Sequence, residues 1–130
     1  KPRTDDIRES PSLTLIEQLL EHGAVVRAYD PEAVENTRRV FPAIDYAPTP
    51  YDAVQDADAV VVMTEWDVFR NLDLARVKQL MRQPNIIDCR NIYTVEDATR
   101  AGFRYCSMGR PIAFPAPPSP APPREMWSTR

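Results

Sequence analysis

The sequence has 130 residues, a length typical of one domain, and 43% of them are hydrophobic, so it can form a packed core. Its 16 basic and 19 acidic residues give a net charge of −3. This balance argues against a nucleic acid or an anionic membrane as partner, since both favour a strongly basic face. No apolar run approaches the roughly 20 residues that span a bilayer.

The two cysteines, Cys89 and Cys106, are not arranged as a CxxC pair, and the sequence holds one histidine. We therefore expect no zinc site, and we interpret both cysteines as reduced thiols in a cytoplasmic protein. The sequence begins at Lys1 instead of a methionine, which leads us to expect a piece of a longer protein.

Proline marks the expected domain boundary. Seven of the fourteen prolines lie in the last twenty residues, and proline cannot donate to a helix or a sheet ladder. We predict one domain over residues 1–110 and a proline-rich, largely disordered tail over residues 111–130.

Helices and strands are predicted to alternate within the domain. Ser10 and Pro11 are typical of a helix start, and Gly23 is typical of a helix end. In chain order the pattern predicts a helix from residue 11, a strand over 24–29, a helix over 30–40, a weak strand over 44–46, a helix over 51–55, a strand over 57–63, a helix over 74–81, a strand over 85–88, a helix over 95–101 and a strand over 103–106.

The predicted strand over residues 57–63 is apolar on both faces. Such a run is typical of a central strand in a parallel sheet that helices cover on both sides. Together with the alternation, it predicts an α/β fold in which an open, Rossmann-like parallel sheet forms the middle of three layers.

Ligands of open α/β sheets bind at the carboxyl ends of the strands. Asp30, the segment Thr64–Trp66 and the segment Asp88–Asn91 follow predicted strands. Lys1 and Arg8 join this rim if the first residues follow a further strand, so Lys1, Arg8 and Arg90 would offer three cations to phosphates.

Each of these residues also has a purely structural interpretation. Asp30 is either a helix cap or an acidic ribose ligand, and Trp66 is either a packing residue or a platform for a ligand. The three cations can equally be solvated surface charges. The sequence contains neither a glycine-rich phosphate loop nor a metal-ligand cluster nor a catalytic triad, so by itself it is not the dinucleotide-binding half of a dehydrogenase.

Four segments, in order, resemble the UDP-glucose/GDP-mannose dehydrogenase family. They are residues 1–12 (KPRTDDIRESPS), residues 26–31 (VRAYDP), residues 60–66 (VVVMTEW) and residues 87–93 (IDCRNIY). The resemblance covers about residues 1–110, and the sequence Thr64-Glu65-Trp66 is similar to the UDP-glucose branch.

The resemblance implies the C-terminal, UDP-sugar-binding domain of an enzyme that oxidises UDP-glucose twice at C6, with two NAD+, to UDP-glucuronate for polysaccharide biosynthesis. It implies that Lys1 and Arg90 contact the nucleotide sugar and that Arg8 reaches NAD. The NAD-binding domain and the middle segment with the catalytic cysteine are absent from this sequence, so the chain alone would be inactive. The intact enzyme would be a homo-oligomer.

Two departures accompany this resemblance. The family has glycine where this chain has Cys89, so Cys89 either strains that turn or shows that the turn needs no positive φ. The resemblance also places the first, central strand immediately before Lys1, so the strands over residues 24–29 and 57–63 would face a gap. We expect the chain alone to be marginally stable, or to take a strand from another copy.

Three alternatives remain at this stage. The domain could belong to a GDP-mannose or UDP-N-acetylmannosamine dehydrogenase, it could be a stand-alone nucleotide-sugar-binding module, or it could be a structural remnant without a ligand.

Overall fold

The computed structural model describes residues 11–115, where helices and strands alternate as predicted. The elements are α1 (Pro11–Glu21), β1 (Arg27–Ala28), α2 (Val34–Val40), β2 (Asp45–Tyr46), α3 (Pro50–Val54), β3 (Val60–Val62), α4 (Asp67–Arg70), α5 (Leu74–Leu80), β4 (Asn85–Asp88), α6 (Val95–Arg100) and β5 (Arg104–Ser107). The predicted cap Ser10 and most of the proline-rich tail lie outside the described residues.

Helix ends follow local capping chemistry. Gly23 adopts a φ of 83° after α1, and its N–H donates to the Leu20 carbonyl while the Ala24 N–H donates to the Leu19 carbonyl. This pair of bonds satisfies carbonyls that the helix leaves free, and it confirms the predicted end of α1. Helices α3, α5 and α6 begin after Thr49, Asp73 and Thr94, whose side chains accept a backbone N–H three residues later.

The strands are parallel, which confirms the predicted α/β class, but they form two sheets. One sheet pairs β1 with β2, and the other has the order β3-β4-β5. Strand β3 is therefore an edge strand among the described residues, which agrees with the gap expected beside it in this chain and not with the central position that its apolar sequence suggested. It pairs with β4 on one side, and no strand of the described chain pairs with its other side.

A gap separates the two sheets where the family resemblance implied one. A cavity of about 870 Å³ is lined by residues of both β1 and β3, and by α1 residues such as Ile16. Val25, just before β1, is 94% exposed although its residue type favours burial. Strand β1 consequently pairs only through Arg27 and Ala28, fewer residues than the six predicted.

The core lies on one face of the three-stranded sheet. Val60, Ile86 and Tyr105 are in register across β3, β4 and β5, and their side chains point to the face that α3, α5 and α6 cover. The next row in register, Val61, Ile87 and Cys106, points to the other face, where Ile87 is exposed. Period-two alternation therefore divides the sheet into a packed face and a more open face.

Other elements also differ from the sequence prediction, and strand β3 is limited to Val60–Val62 instead of residues 57–63. Helix α2 begins at Val34 instead of Asp30, because residues 31–33 form a turn. Helix α4 was not predicted, since one helical turn is too short to show apolar periodicity.

The chain contacts the sheet beyond residue 110. The N–H and the carbonyl of Ala113 both bond to Tyr105, at 2.9 and 2.8 Å, in an antiparallel bridge on the outer edge of β5. The proposed division between a domain and a tail at residue 110 stays a prediction.

Burial predicts how strongly individual phenylalanines stabilise this domain. Phe103 is fully buried in the core and Phe114 is 67% exposed. We expect Phe103→Ala to lower the free energy of unfolding by about 3–5 kcal/mol, because it removes buried surface and leaves a cavity. The matched variant Phe114→Ala should change it by less than about 1 kcal/mol. Urea unfolding followed by circular dichroism would test this, and equal effects would contradict the packing described.

Candidate functional site

A buried carboxylate organises the loop that follows β4. Asp88, the last residue of β4, is 1% exposed. Its Oδ1 accepts the backbone N–H of Arg90 at 3.1 Å, and its Oδ2 accepts the backbone N–H of Tyr93 at 3.0 Å and the hydroxyl of Tyr105 at 2.6 Å. A buried charge needs such partners, so Asp88 fixes the path of residues 89–93.

Two tyrosines complete this network. The Tyr105 hydroxyl also lies 2.9 Å from the Tyr93 carbonyl, and the Tyr93 hydroxyl donates to the Phe69 carbonyl in α4. Burial, together with the Asp88 carboxylate, raises the pKa of both phenols well above the usual value. Both hydroxyls therefore stay protonated and act as donors that connect β4, β5 and α4.

Asn91 joins the same loop to the segment after β5. Its φ is 53°, a left-handed conformation that asparagine tolerates better than most residues. Its Nδ2 donates to the Met108 carbonyl at 3.0 Å, and its Oδ1 accepts the Met108 N–H at 2.9 Å. The loops at the carboxyl ends of β4 and β5 are thus held together by one side-chain amide.

Arg90 projects from this loop toward the carboxyl end of β3. Its Nη2 donates to Glu65 Oε1 at 2.7 Å, and Glu65 Oε2 lies 3.5 Å from Nη2 of Arg70 in α4. The Arg90 and Arg70 side chains are 44% and 47% exposed, so solvent reaches both guanidinium groups. One carboxylate thus bridges two cations at the sheet edge where open α/β folds bind ligands.

Of the three predicted cations, the structure describes one. Arg90 lies at the carboxyl end of β4, as expected, whereas Lys1 and Arg8 lie outside the described residues. Sequence reasoning missed Arg70, because the one-turn helix that carries it was not predicted. It placed Asp88 at the edge where ligands bind but did not predict that its carboxylate is buried and bonded to the loop and to Tyr105.

The alternative interpretations for Asp30 and Trp66 can be compared with the structure. Asp30 Oδ1 accepts the N–H groups of Glu32 and Ala33, both at 2.8 Å, so this side chain caps the turn before α2. Trp66 is half-buried and directly precedes α4, and its Nε1 is shielded from solvent with no hydrogen-bond partner among residues 11–115.

Cys89 does not strain the loop. Within the described chain, positive φ at non-glycine residues occurs at Asp56 and Asn91, so the Cys89 position needs no glycine. The Cys89 N–H donates to the Val62 carbonyl at 2.9 Å and extends the pairing of β3 with β4. Burial raises the pKa of its thiol, and the Asp88 carboxylate and Cys106 raise it further.

The described residues do not fit a dinucleotide cofactor. Rossmann domains that bind a dinucleotide hold its pyrophosphate at a glycine-rich turn between the first strand and the following helix. In the described part of the chain, Gly23 and Gly102 follow helices, and Gly109 follows the last strand. Residues 11–115 also contain no cluster of three or more histidine, cysteine, aspartate or glutamate side chains that could hold a metal ion. No helix of this region is long and apolar enough to cross a membrane.

Comparison with known families gives one match over most of the chain. The model of the UDP-glucose/GDP-mannose dehydrogenase family, UDP binding domain, matches residues 1–95. This range includes β1 to β4 and the loop with Asp88, Arg90 and Asn91.

Individual relatives agree with this match. The UDP-glucose 6-dehydrogenase of Rhizobium meliloti (strain 1021) is 47% identical over 111 residues, which cover 85% of this chain and 25% of that protein. UDP-glucose 6-dehydrogenase YwqF of Bacillus subtilis (strain 168) is 42% identical over 117 residues, which cover 89% of this chain and 27% of that protein. The chain thus spans about a quarter of the length of these relatives.

A solved structure has the same fold. The NDP-N-acetyl-D-galactosaminuronic acid dehydrogenase from Methanosarcina mazei Go1 superimposes with a TM-score of 0.71 at 28% identity, over 83% of this chain and 22% of that chain.

The hydrogen bonds of Asp88 predict how much stability the domain loses when one donor hydroxyl is removed. We expect Tyr105→Phe to lower the free energy of unfolding by about 1–3 kcal/mol, because it leaves the buried carboxylate one hydrogen bond short. Tyr46→Phe is the matched control, since the Tyr46 hydroxyl donates 2.7 Å to the neutral Phe41 carbonyl, and it should cost about 1 kcal/mol or less. Chemical denaturation measures both, and a smaller cost for Tyr105→Phe would contradict the central role of Asp88.

The raised pKa of Cys89 predicts slow alkylation. At pH 8 its thiolate fraction should be below that of a free cysteine, so iodoacetamide should modify it more slowly than it modifies a cysteine-containing peptide. Modification should accelerate as the pH rises further. Mass spectrometry of a Cys106→Ala variant isolates Cys89, and a rate equal to or above that of the peptide would refute the assignment.

Proposed function

Because the chain belongs to the UDP-glucose/GDP-mannose dehydrogenase family, where it matches the UDP-binding domain, we propose that it is the nucleotide-sugar-binding part of a UDP-glucose 6-dehydrogenase. The observation that carries this proposal is Arg90, which lies at the carboxyl end of β4 with its backbone fixed by Asp88 and its side chain half-exposed. This is the combination that a phosphate-binding arginine needs, namely a fixed backbone and an accessible charge.

In this proposal Arg90 binds the diphosphate of UDP-glucose. A guanidinium group presents several N–H donors in one plane, which match the oxygens of a phosphate. Arg90 Nη2 donates to Glu65 Oε1 at 2.7 Å, and the Arg90 guanidinium has further N–H donors for a ligand. Arg90 therefore binds the nucleotide portion and holds the sugar for the rest of the enzyme.

The substrate choice rests on the relatives and on one segment. The curated relatives quoted above are named UDP-glucose 6-dehydrogenases and are 42–47% identical, whereas the solved structure named for another sugar is 28% identical. Thr64-Glu65-Trp66 adds the similarity to the UDP-glucose branch. We therefore favour UDP-glucose over GDP-mannose and UDP-N-acetylmannosamine.

The remaining parts of the proposal concern residues outside the described range and other domains of the intact enzyme. We propose that the intact enzyme oxidises UDP-glucose to UDP-glucuronate with two NAD+, that Lys1 also contacts the nucleotide sugar and that Arg8 reaches the NAD held by another domain. The residues described here supply no catalytic cysteine in this scheme, so the chain alone is inactive. The intact enzyme is proposed to be a cytoplasmic homo-oligomer.

A second candidate is a stand-alone nucleotide-sugar-binding module. The same Arg90 geometry would serve it, because binding requires only the cation and the fixed loop. The two candidates differ in whether an NAD-binding domain and a catalytic cysteine share the polypeptide with this domain. A remnant without a ligand would bind neither UDP nor UDP-glucose.

Titration with UDP tests the binding role. We expect the 130-residue chain to bind UDP, and Arg90→Gln to weaken binding about tenfold or more, because charge-assisted hydrogen bonds to a phosphate are lost. Arg82→Gln is the matched control, since Arg82 also pairs with a carboxylate, Asp58 at 3.4 Å, but lies between α5 and β4, at the amino ends of the strands. Isothermal titration calorimetry gives the dissociation constants.

Two outcomes would refute the proposal. One is a folded chain that does not bind UDP, and the other is an Arg90→Gln variant that binds it as tightly as the unmodified chain. In the intact enzyme, Arg90→Gln should raise KM for UDP-glucose strongly, and an unchanged KM would refute the role of Arg90.

A further inference from the structure

We propose that Arg70 is a second phosphate-binding residue of this site, and that Arg70 and Arg90 together select a nucleoside diphosphate over a monophosphate. This inference rests on the proposed function, because it concerns the same nucleotide. Neither the sequence pattern nor the resemblance pointed to Arg70, and the structure brings it to the site through α4.

The position of Arg70 follows from the chain path after β3. Strand β3 ends at Val62, Glu65 follows at the carboxyl end, and the single turn of α4 returns Arg70 to Glu65. The Tyr93 hydroxyl donates to the Phe69 carbonyl, so α4 is connected to the same network that fixes Arg90. The hydrogen-bond network that fixes Arg90 therefore also positions Arg70.

The two guanidinium groups are separated by one carboxylate. Glu65 Oε1 lies 2.7 Å from Arg90 Nη2, and Glu65 Oε2 lies 3.5 Å from Arg70 Nη2. Two positive charges and one negative charge give the exposed trio a net charge of +1, and the Asp88 carboxylate lies buried below it with its oxygens bonded, so the outer side chains present positive charge to an anion. Glu65 also reduces the repulsion between the arginines, which allows both to stay near one ligand.

A diphosphate fits this arrangement better than a monophosphate does. Each guanidinium can form charge-assisted hydrogen bonds to one phosphate group, so a ligand with two phosphates can use both arginines. With one arginine removed, the second phosphate of a diphosphate loses its guanidinium partner and adds little to the binding free energy. The dissociation constants of the diphosphate and the monophosphate should then become similar. Arg70 is 47% exposed and its ion pair with Glu65 is the longer of the two, at 3.5 Å, so a phosphate can compete with Glu65 for its guanidinium.

The competing interpretation is that Arg70 only pairs with Glu65 at the surface. Half-exposed ion pairs contribute little to stability. In that case removing Arg70 would affect UDP and UMP equally, through Arg90, or would affect neither. The ratio of the two affinities therefore separates a phosphate ligand from a surface charge.

The test titrates UDP and UMP into the unmodified chain, Arg70→Gln and the control Arg82→Gln, by calorimetry. We expect the ratio of the UMP to the UDP dissociation constant to fall about tenfold in Arg70→Gln and to stay unchanged in Arg82→Gln. Thermal unfolding of each variant verifies folding. If Arg70→Gln fails to fold, Arg70→Lys replaces it and should lower the ratio through the loss of the planar guanidinium.

The outcomes distinguish the two proposals. An unchanged ratio in Arg70→Gln, while Arg90→Gln weakens UDP binding, overturns the role of Arg70 and leaves the proposed function standing. The absence of UDP binding by the folded, unmodified chain overturns both. A fall in the ratio that also occurs in Arg82→Gln shows a general charge effect and overturns the role of Arg70.

Discussion

The buried charge of Asp88 is the constraint on which the site depends. A carboxylate that is 1% exposed is stable only if hydrogen-bond donors replace the water it has lost. Its donors come from the loop after β4 and from Tyr105 on β5, so both must take up one arrangement when the domain folds. The core and the site are therefore coupled, because the residue that ends the middle strand of the three-stranded sheet also fixes the backbone of Arg90.

Electrostatics at the sheet edge follow from this anchoring. The buried Asp88 carboxylate accepts hydrogen bonds from two backbone N–H groups of the loop and from the Tyr105 hydroxyl, while the Arg90 side chain extends outward to Glu65. The site thus has an inner negative charge that is fully bonded and an outer group of charges that solvent reaches. Such a division lets an anion approach the arginines without first disrupting the core.

The sequence predicted the class of fold because alternation of apolar periods and capping residues is a local property. Gly23, Thr94 and the apolar residues of β3 and β4 show where elements begin and end, and the parallel α/β class was confirmed. The position of Arg90 at a strand end followed from the same pattern. The contacts of Arg70 and Asp88 could not be predicted, since they depend on a single helical turn and on pairing between distant strands. The place of β3 at an edge depends likewise on which strands are present to pair with it.

The bridge between Ala113 and Tyr105 makes the two edges of the three-stranded sheet different. On the β5 side, Ala113 covers part of the edge, which hinders pairing with another chain there. On the β3 side, the described chain offers unpaired backbone groups along a cavity. Growth of this sheet by further strands is thus favoured in one direction only, toward β1. A strand added there would occupy the cavity that residues of β1 and β3 line.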